Sequence, residues 1–199
     1  MAYPTVSAPY GLIPINLIGG QVFAGATRQI PIASGYGTSI FFGDVVKLAD
    51  TGTLVKDTGT STATPVGVFL GCSFTDPVFG KTFRQYLPAN TVATDIVAYV
   101  CDDPDTLFKV AVVSSGTTIG YVNRTAVGNN SALVQNAGNT TTGNSRVAIS
   151  ASTATTNTLP VRIIDVVPET AQAANPGNYT EVIVKWNFGM HQYENATGV

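Results

Sequence analysis

Ile40-Phe41-Phe42-Gly43-Asp44-Val45-Val46-Lys47-Leu48 opens the stretch that decides the fold. It continues through Ala49-Asp50-Thr51-Gly52-Thr53-Leu54-Val55-Lys56 and, after a polar gap, Thr64-Pro65-Val66-Gly67-Val68-Phe69-Leu70. Val45 to Leu48 is one short β-type run, Asp50-Thr51-Gly52 is turn chemistry, and Leu54 to Lys56 is a second run. Pro65 opens a third run at Val66, which continues through Gly71 and Cys72 to Phe74. Short β-branched runs separated by glycine and Asp/Thr-Gly punctuation read as strands joined by tight turns. The third run is the expected central strand. No reactive constellation falls in this stretch, so it reads as scaffold for a protein that works through its surface.

The 199 residues fit one large domain or two small ones. Hydrophobic residues make up 44% of the chain, enough for a real core, while charged residues make up only 11%. A typical soluble domain carries roughly 25% charged residues, so this surface is expected to be covered by Thr, Ser, Asn and Gly or buried against partners. With a net charge of −2, little repulsion opposes assembly. Ten Lys and Arg are spread without a cluster, which argues against a nucleic-acid face. No run is long and apolar enough for a membrane span. The N-terminus lacks a basic segment ahead of an apolar core, so the expectation is a protein made and assembled in a cytoplasm. Cys72 and Cys101 lack metal-site spacing; they are expected as two buried thiols, with a disulfide as the alternative.

Residues 1–30 are expected as an extended arm. Prolines at 4, 9 and 14 oppose helix and central strand alike. Between them lie Tyr3, Val6, Tyr10, Leu12, Ile13, Ile15 and Leu17, too apolar to trail in water. Either these residues pack along their own domain as an edge strand, or they lie across a neighbouring subunit; they are the candidate interface residues. Residues 31–199 are expected as a single β-rich domain. Phe74 to Gly80 reads as a turn with apolar anchors, followed by a half-exposed strand at Thr82 to Leu87. Asp95 to Cys101 and Leu107 to Val113 read as strands that pair antiparallel with each other. From Ser114 to Asn157 the chain becomes rich in Ser, Thr, Asn and Gly, an excursion expected to hold an ordered loop and one short strand, with a weakly signalled helix near Thr117 to Val127. Leu159 to Val167 and Tyr179 to Phe188, separated by a loop at 174–178, are expected to complete the sheet begun by the earlier strands. The fold class is therefore all-β, a β-barrel or β-sandwich with an N-terminal arm and a polar excursion.

The residues that carry chemistry elsewhere read as structural here. His191 is the single histidine and its neighbours form no helical metal motif, so packing outweighs catalysis. Asp102, Asp103 and Asp105 crowd three carboxylates together, but the calcium-loop pattern is missing and Asp-Pro makes ordinary turns. Asp44, Asp95, Asp165 and Glu169 are available to an acid–base pair, with nothing in the sequence bringing them together. The glycines match no phosphate or dinucleotide loop. Asn-x-Thr/Ser triplets at Asn123, Asn129, Asn139, Asn178 and Asn195 are expected by chance in so Asn- and Thr-rich a chain. The reading is non-enzymatic, without cofactor or metal.

Six passages follow in order along the chain: Gly43-Asp44-Val45-Val46-Lys47-Leu48, Pro65-Val66-Gly67-Val68-Phe69, Asp102-Asp103-Pro104-Asp105-Thr106-Leu107-Phe108, Thr142-Gly143-Asn144-Ser145, Leu159-Pro160-Val161-Arg162-Ile163-Ile164 and Glu181-Val182-Ile183-Val184-Lys185-Trp186-Asn187. Taken together they resemble the small capsid decoration or cement proteins of tailed bacteriophages, marine phages and cyanophages in particular. Their order makes the match; the arm and the tail lie outside it. The resemblance implies a virion protein on the capsid surface, assembled in the host cytoplasm, that bridges major capsid protein subunits. It also implies copies of itself as partners, in a trimer or another homo-oligomer, and neither nucleic acid nor membrane. The alternatives are a tail, neck or fibre-associated structural protein, a host-surface binding module, and, far behind, a hydrolase with an acidic pair.

Overall fold

The computed structural model describes residues 6–171 and 177–199. In chain order the strands are β1 (Ile13–Leu17), β2 (Arg28–Pro31), β3 (Val45–Leu48), β4 (Leu54–Lys56), β5 (Gly67–Asp76), β6 (Gly80–Arg84) and β7 (Val97–Cys101). There follow β8 (Thr106–Ser115), β9 (Thr118–Ile119), β10 (Asn130–Val134), β11 (Ala148–Ala154), β12 (Val161–Val166) and β13 (Glu181–Trp186). The architecture is all-β, as the runs of β-branched residues predict. Where a helix was weakly signalled near 117–127, the described chain makes only a 3-10 turn at Arg124–Ala126, its N-terminus capped by the Asn123 side chain.

Five strands close a barrel in the order β8-β11-β10-β12-β13, with β13 returning to β8. All its pairings are antiparallel except β8–β11. The interior takes alternate residues: Phe108, Val110 and Val112 from β8, Val161 and Ile163 from β12, Val182, Val184 and Trp186 from β13. The intervening Ala111 and Val113 point outwards, yet they too are buried, beneath Tyr10, Val6 and Tyr179. The unbroken apolar run of β8 follows from this double cover, since a strand buried on both faces has no polar side to alternate.

The second sheet runs β2-β7-β5-β3-β4, with β6 added to the far half of β5. Its core gathers Ile30, Ile40, Val46, Leu54, Phe69, Phe74, Leu87 and Val100. The expected central strand is β5, flanked by β3 and β6 on one side and β7 on the other. Val45, Val68 and Cys101 of this sheet sit in one cluster with the barrel's interior residues, so the two sheets share a core.

Asp44 ties the shared region together. Its fully buried carboxylate accepts from the Phe41 amide (2.9 Å), the Lys56 ammonium (2.8 Å) and the Ser145 hydroxyl (2.6 Å). Three donors on one buried carboxylate satisfy it in a setting where an unpaired charge would be costly.

Three expectations change. The strands on either side of Asp102 to Asp105 do not pair with each other: β7 belongs to the second sheet and β8 to the barrel. At the crossing between sheets Asp103 accepts the Asp105 amide (2.8 Å) in a tight turn. The last two strands accordingly complete the barrel rather than the sheet begun by the earlier ones. The polar stretch 114–157 holds more than one short strand, carrying β9, β10 and β11, two of them barrel staves. The 174–178 loop lies largely outside the described residues.

Candidate interaction surface

The apolar residues of the arm separate into three settings. Leu12 is fully buried in its own chain, packed into the core that the two sheets share. Its amide donates to the Gly43 carbonyl (3.0 Å), and the Gly11 amide donates to Val147 (3.1 Å). This crossing needs glycine: Gly11 has φ +86°, and a Cβ there would meet the Gly43 carbonyl oxygen at 2.6 Å. Ile13, Ile15 and Leu17 are half-buried on β1, which runs antiparallel along β8 with a bulge between Pro14 and Asn16. Proline is tolerated there because β1 has no further named strand on its outer side. Val6 and Tyr10 are half-buried over the outside of the barrel. The Tyr10 hydroxyl donates to the Glu181 carboxylate, which also pairs with Lys109 (3.2 Å). Burial first, and then this acceptor, push the Tyr10 phenol far above its usual range. Tyr3 lies outside the described residues.

Exposed apolar side chains then mark where the surface is unusual. Directly after β1 the chain turns back, with Gln21 accepting from the Leu17 amide (2.8 Å) and Ile15 from the Phe23 amide (3.4 Å). This ordered turn displays Ile18 and Val22, the latter 76% exposed.

A second projection is the β5–β6 hairpin. Expected as a turn with apolar anchors, its tip instead turns Val78 and Phe79 outwards, 79% and 76% exposed. The tip is nonetheless rigid. Pro77 fixes one φ angle, Gly80 takes a left-handed conformation (φ +73°), and the Asp76 carboxylate accepts the amides of Val78 (2.9 Å) and Phe79 (3.2 Å). Those two bonds hold the Asp76 carboxyl below the usual range. Asp95 grips the stem, accepting from the Thr75 amide (2.9 Å), the Thr75 hydroxyl (2.7 Å) and Lys81 (3.1 Å), which lowers its pKa strongly. Behind the tip, Phe83 stacks on Tyr99 at 6.3 Å and forms with it, Leu70, Gly71 and Gln85 a groove of about 520 Å³.

Glu169 is exposed and makes no ion pair among the described residues, and the other ionisable candidates are engaged. His191 is fully buried, edge-on to Tyr193 at 5.2 Å, and neither ring nitrogen has a hydrogen-bond partner. It belongs to a C-terminal clip whose Gln192 amide donates to Pro65 (2.8 Å) and whose side chain accepts from the Leu48 amide (3.1 Å). Asp102 pairs with Arg28 (2.5 Å), and Asp105 with Lys185 (3.0 Å). Asp44 and Asp95 take the partners described above, and Asp165 pairs with Arg124 (2.7 Å). Among the described residues no group of three or more His, Cys, Asp or Glu side chains is placed to hold a metal ion, and no helix is long and apolar enough to cross a membrane. Cys72 and Cys101 are free and buried. Cys101 lies opposite Val68, four residues along β5 from Cys72, so the two are offset by roughly 13 Å at the usual strand rise and cannot bridge. The sequence signal missed was Pro77-Val78-Phe79-Gly80, where turn chemistry encloses two apolar residues.

Compared with protein-family models, curated proteins and solved structures, the chain matches none.

Proposed function

We propose that this chain is a non-enzymatic structural protein of a virion, a decoration or cement protein that binds the capsid exterior and bridges major capsid subunits. The ordered resemblance from Gly43 to Asn187 supports the reading. The observation that carries it is the display of Ile18 and Val22 on a hydrogen-bonded turn beside the arm strand, in a chain with only 11% charged residues. Rigid apolar projections lose little entropy on docking, and repetition over a lattice multiplies weak contacts through avidity. The arm's inner residues then serve as the mount and the turn as the contact, with capsid subunits and copies of the chain as partners on the virion surface. The same surface would serve a tail, neck or fibre-associated component, and location in the particle separates the two readings.

The test is sedimentation of the protein with and without capsids at mild salt. Co-sedimentation at a fixed ratio to the major capsid protein is expected. The double substitution Ile18→Asp/Val22→Asp should weaken it at least about tenfold, the equivalent of about 1.4 kcal/mol of lost apolar burial. A protein that stays in the supernatant overturns the capsid reading.

A further inference from the structure

We infer that two copies of this chain associate by antiparallel pairing of their β6 strands about a two-fold axis at Thr82, each hairpin tip seating Val78 and Phe79 against the groove of the other copy. The inference gives a surface to the self-association included in the proposed function, but it needs no capsid and is tested without one.

The first support is an open sheet edge. β6 pairs only with β5, leaving its outer backbone groups without a strand among the described residues. Other edges are blunted. β1 is covered by its following turn, where Asn16 bridges Val22. β4 is three residues long and gives its Lys56 amide to the Tyr36 hydroxyl (3.0 Å). β2 ends in Pro31, and its Arg28 is stacked under Tyr193. Open edges are usually protected by charge, bulge or proline because they otherwise pair with other chains.

The second support is that the charges on β6 are turned away from that protective task. Lys81 is drawn across the sheet to Asp95 (3.1 Å), and Arg84 to Asp76 (3.6 Å). Both ion pairs close within this sheet, so the edge carries no local net charge and suits its own copy rather than a phosphate-rich surface.

Register follows from like-charge repulsion and from backbone already in use. An axis at Lys81 sets two lysines face to face. An axis at Phe83 carries each tip to Leu87, whose amide and carbonyl already bond Ile40. The axis at Thr82 sets Lys81 opposite Phe83 of the second copy and Arg84 opposite Gly80, with each tip level with Gln85 and Tyr86 beside the groove. Val78, Phe79 and Phe83, each at least 70% exposed, are covered twice over. The pairing is isologous and closes on itself.

The interface is small, at or below the roughly 1,200 Å² lower end of standard interfaces, so micromolar affinity is expected. Sedimentation velocity from about 5 to 500 μM brackets that range. The expected result is a concentration-dependent monomer–dimer equilibrium. Val78→Asp/Phe79→Asp should raise its dissociation constant at least tenfold while leaving the thermal midpoint of the dilute, monomeric protein unchanged, because there both side chains are in water. Thr82→Cys should form an inter-chain disulfide under mild oxidation far faster than Val92→Cys, an exposed position off the edge. A protein monomeric at every concentration overturns the inference. So does a dimer indifferent to the tip substitutions, or one in which the two cysteine variants cross-link equally.

Discussion

Replacing Leu12 with alanine separates an arm that belongs to its own core from one that belongs to a neighbour. Leu12 is fully buried against residues of both sheets. Removing a buried leucine side chain beyond Cβ typically costs about 2–5 kcal/mol, with the larger values where the surroundings cannot collapse into the cavity. Here they cannot. The backbone on the N-terminal side is fixed by the Gly11–Gly43 crossing, where a Cβ on Gly11 would stand 2.6 Å from a carbonyl oxygen, and the Leu12 amide is bonded to Gly43. The upper half of the range, about 3–5 kcal/mol, is therefore expected, or a drop in thermal midpoint of about 6–20 °C for a chain of this size. Trp186, the single tryptophan, lies in the same cluster and tilts against Phe108 at 5.4 Å, so its fluorescence reports the transition. Urea unfolding followed at two protein concentrations decides the matter, with half-buried Ile15→Ala as the milder comparison. A loss within about 0.5 kcal/mol, the range of ordinary surface sites, refutes the packing argument. A loss that shrinks as the protein is diluted would place Leu12 in a neighbouring subunit.

Asp44→Ala strips Lys56 of its carboxylate in a setting where the lysine side chain is only 9% exposed; breaking a buried pair in this way costs about 3–5 kcal/mol. The double variant Asp44→Ala/Lys56→Met should recover part of that loss in urea unfolding, and an unimproved double variant would show that Asp44 acts through Phe41 and Ser145 instead. His191 gives a pH dependence. Burial lowers its pKa from the ordinary 6.5, opposed by the nearby backbone of Asp102 and Val66 and by the carboxylates of Glu194 and Asp102; Arg28 and the Tyr193 phenol complete the charged and titratable surroundings on the facing elements. The unfolded chain then binds the proton first, so this contribution is whole above about pH 6.5 and is lost as pH falls towards and through the folded value. Unfolding midpoints at pH 7.5 and 5.5 should differ less in His191→Phe than in the natural chain, and equal differences would sink the assignment.

Local structure was largely legible. Val45 to Leu48, Leu54 to Lys56 and Gly67 onward are β3, β4 and β5, because β-branched runs and Asp-Thr-Gly turn chemistry act over a few residues. Sheet membership was not. Consecutive strands usually neighbour one another, and nothing in Asp102-Asp103-Pro104-Asp105 distinguishes a hairpin from a crossing between sheets. β10 and β11 were hidden because Asn130-Ser131-Ala132-Leu133-Val134 and Ala148-Ile149-Ser150-Ala151-Ser152-Thr153-Ala154 set few apolar residues among Ser, Thr and Asn. The arm's apolar residues announced burial without naming the surface that buries them. Val78 and Phe79 failed in the opposite sense: apolar residues in a turn promise burial, and only the tertiary structure reveals that the tip stands clear of the sheet.

The bonds that fasten the arm and the shared core also set a timetable. Tyr10 meets Glu181 across 171 positions, and Asp44 meets Ser145 across 101. Contacts of such sequence separation make folding slow, since a long loop must close before they reward it. During synthesis the barrel cannot close until β13 emerges, after every other stave. Until then β8 keeps an unpaired side that would otherwise aggregate. Chains synthesised close together are therefore at greatest hazard before β13 has paired, and Tyr10 is fastened to Glu181 only once that strand is in place.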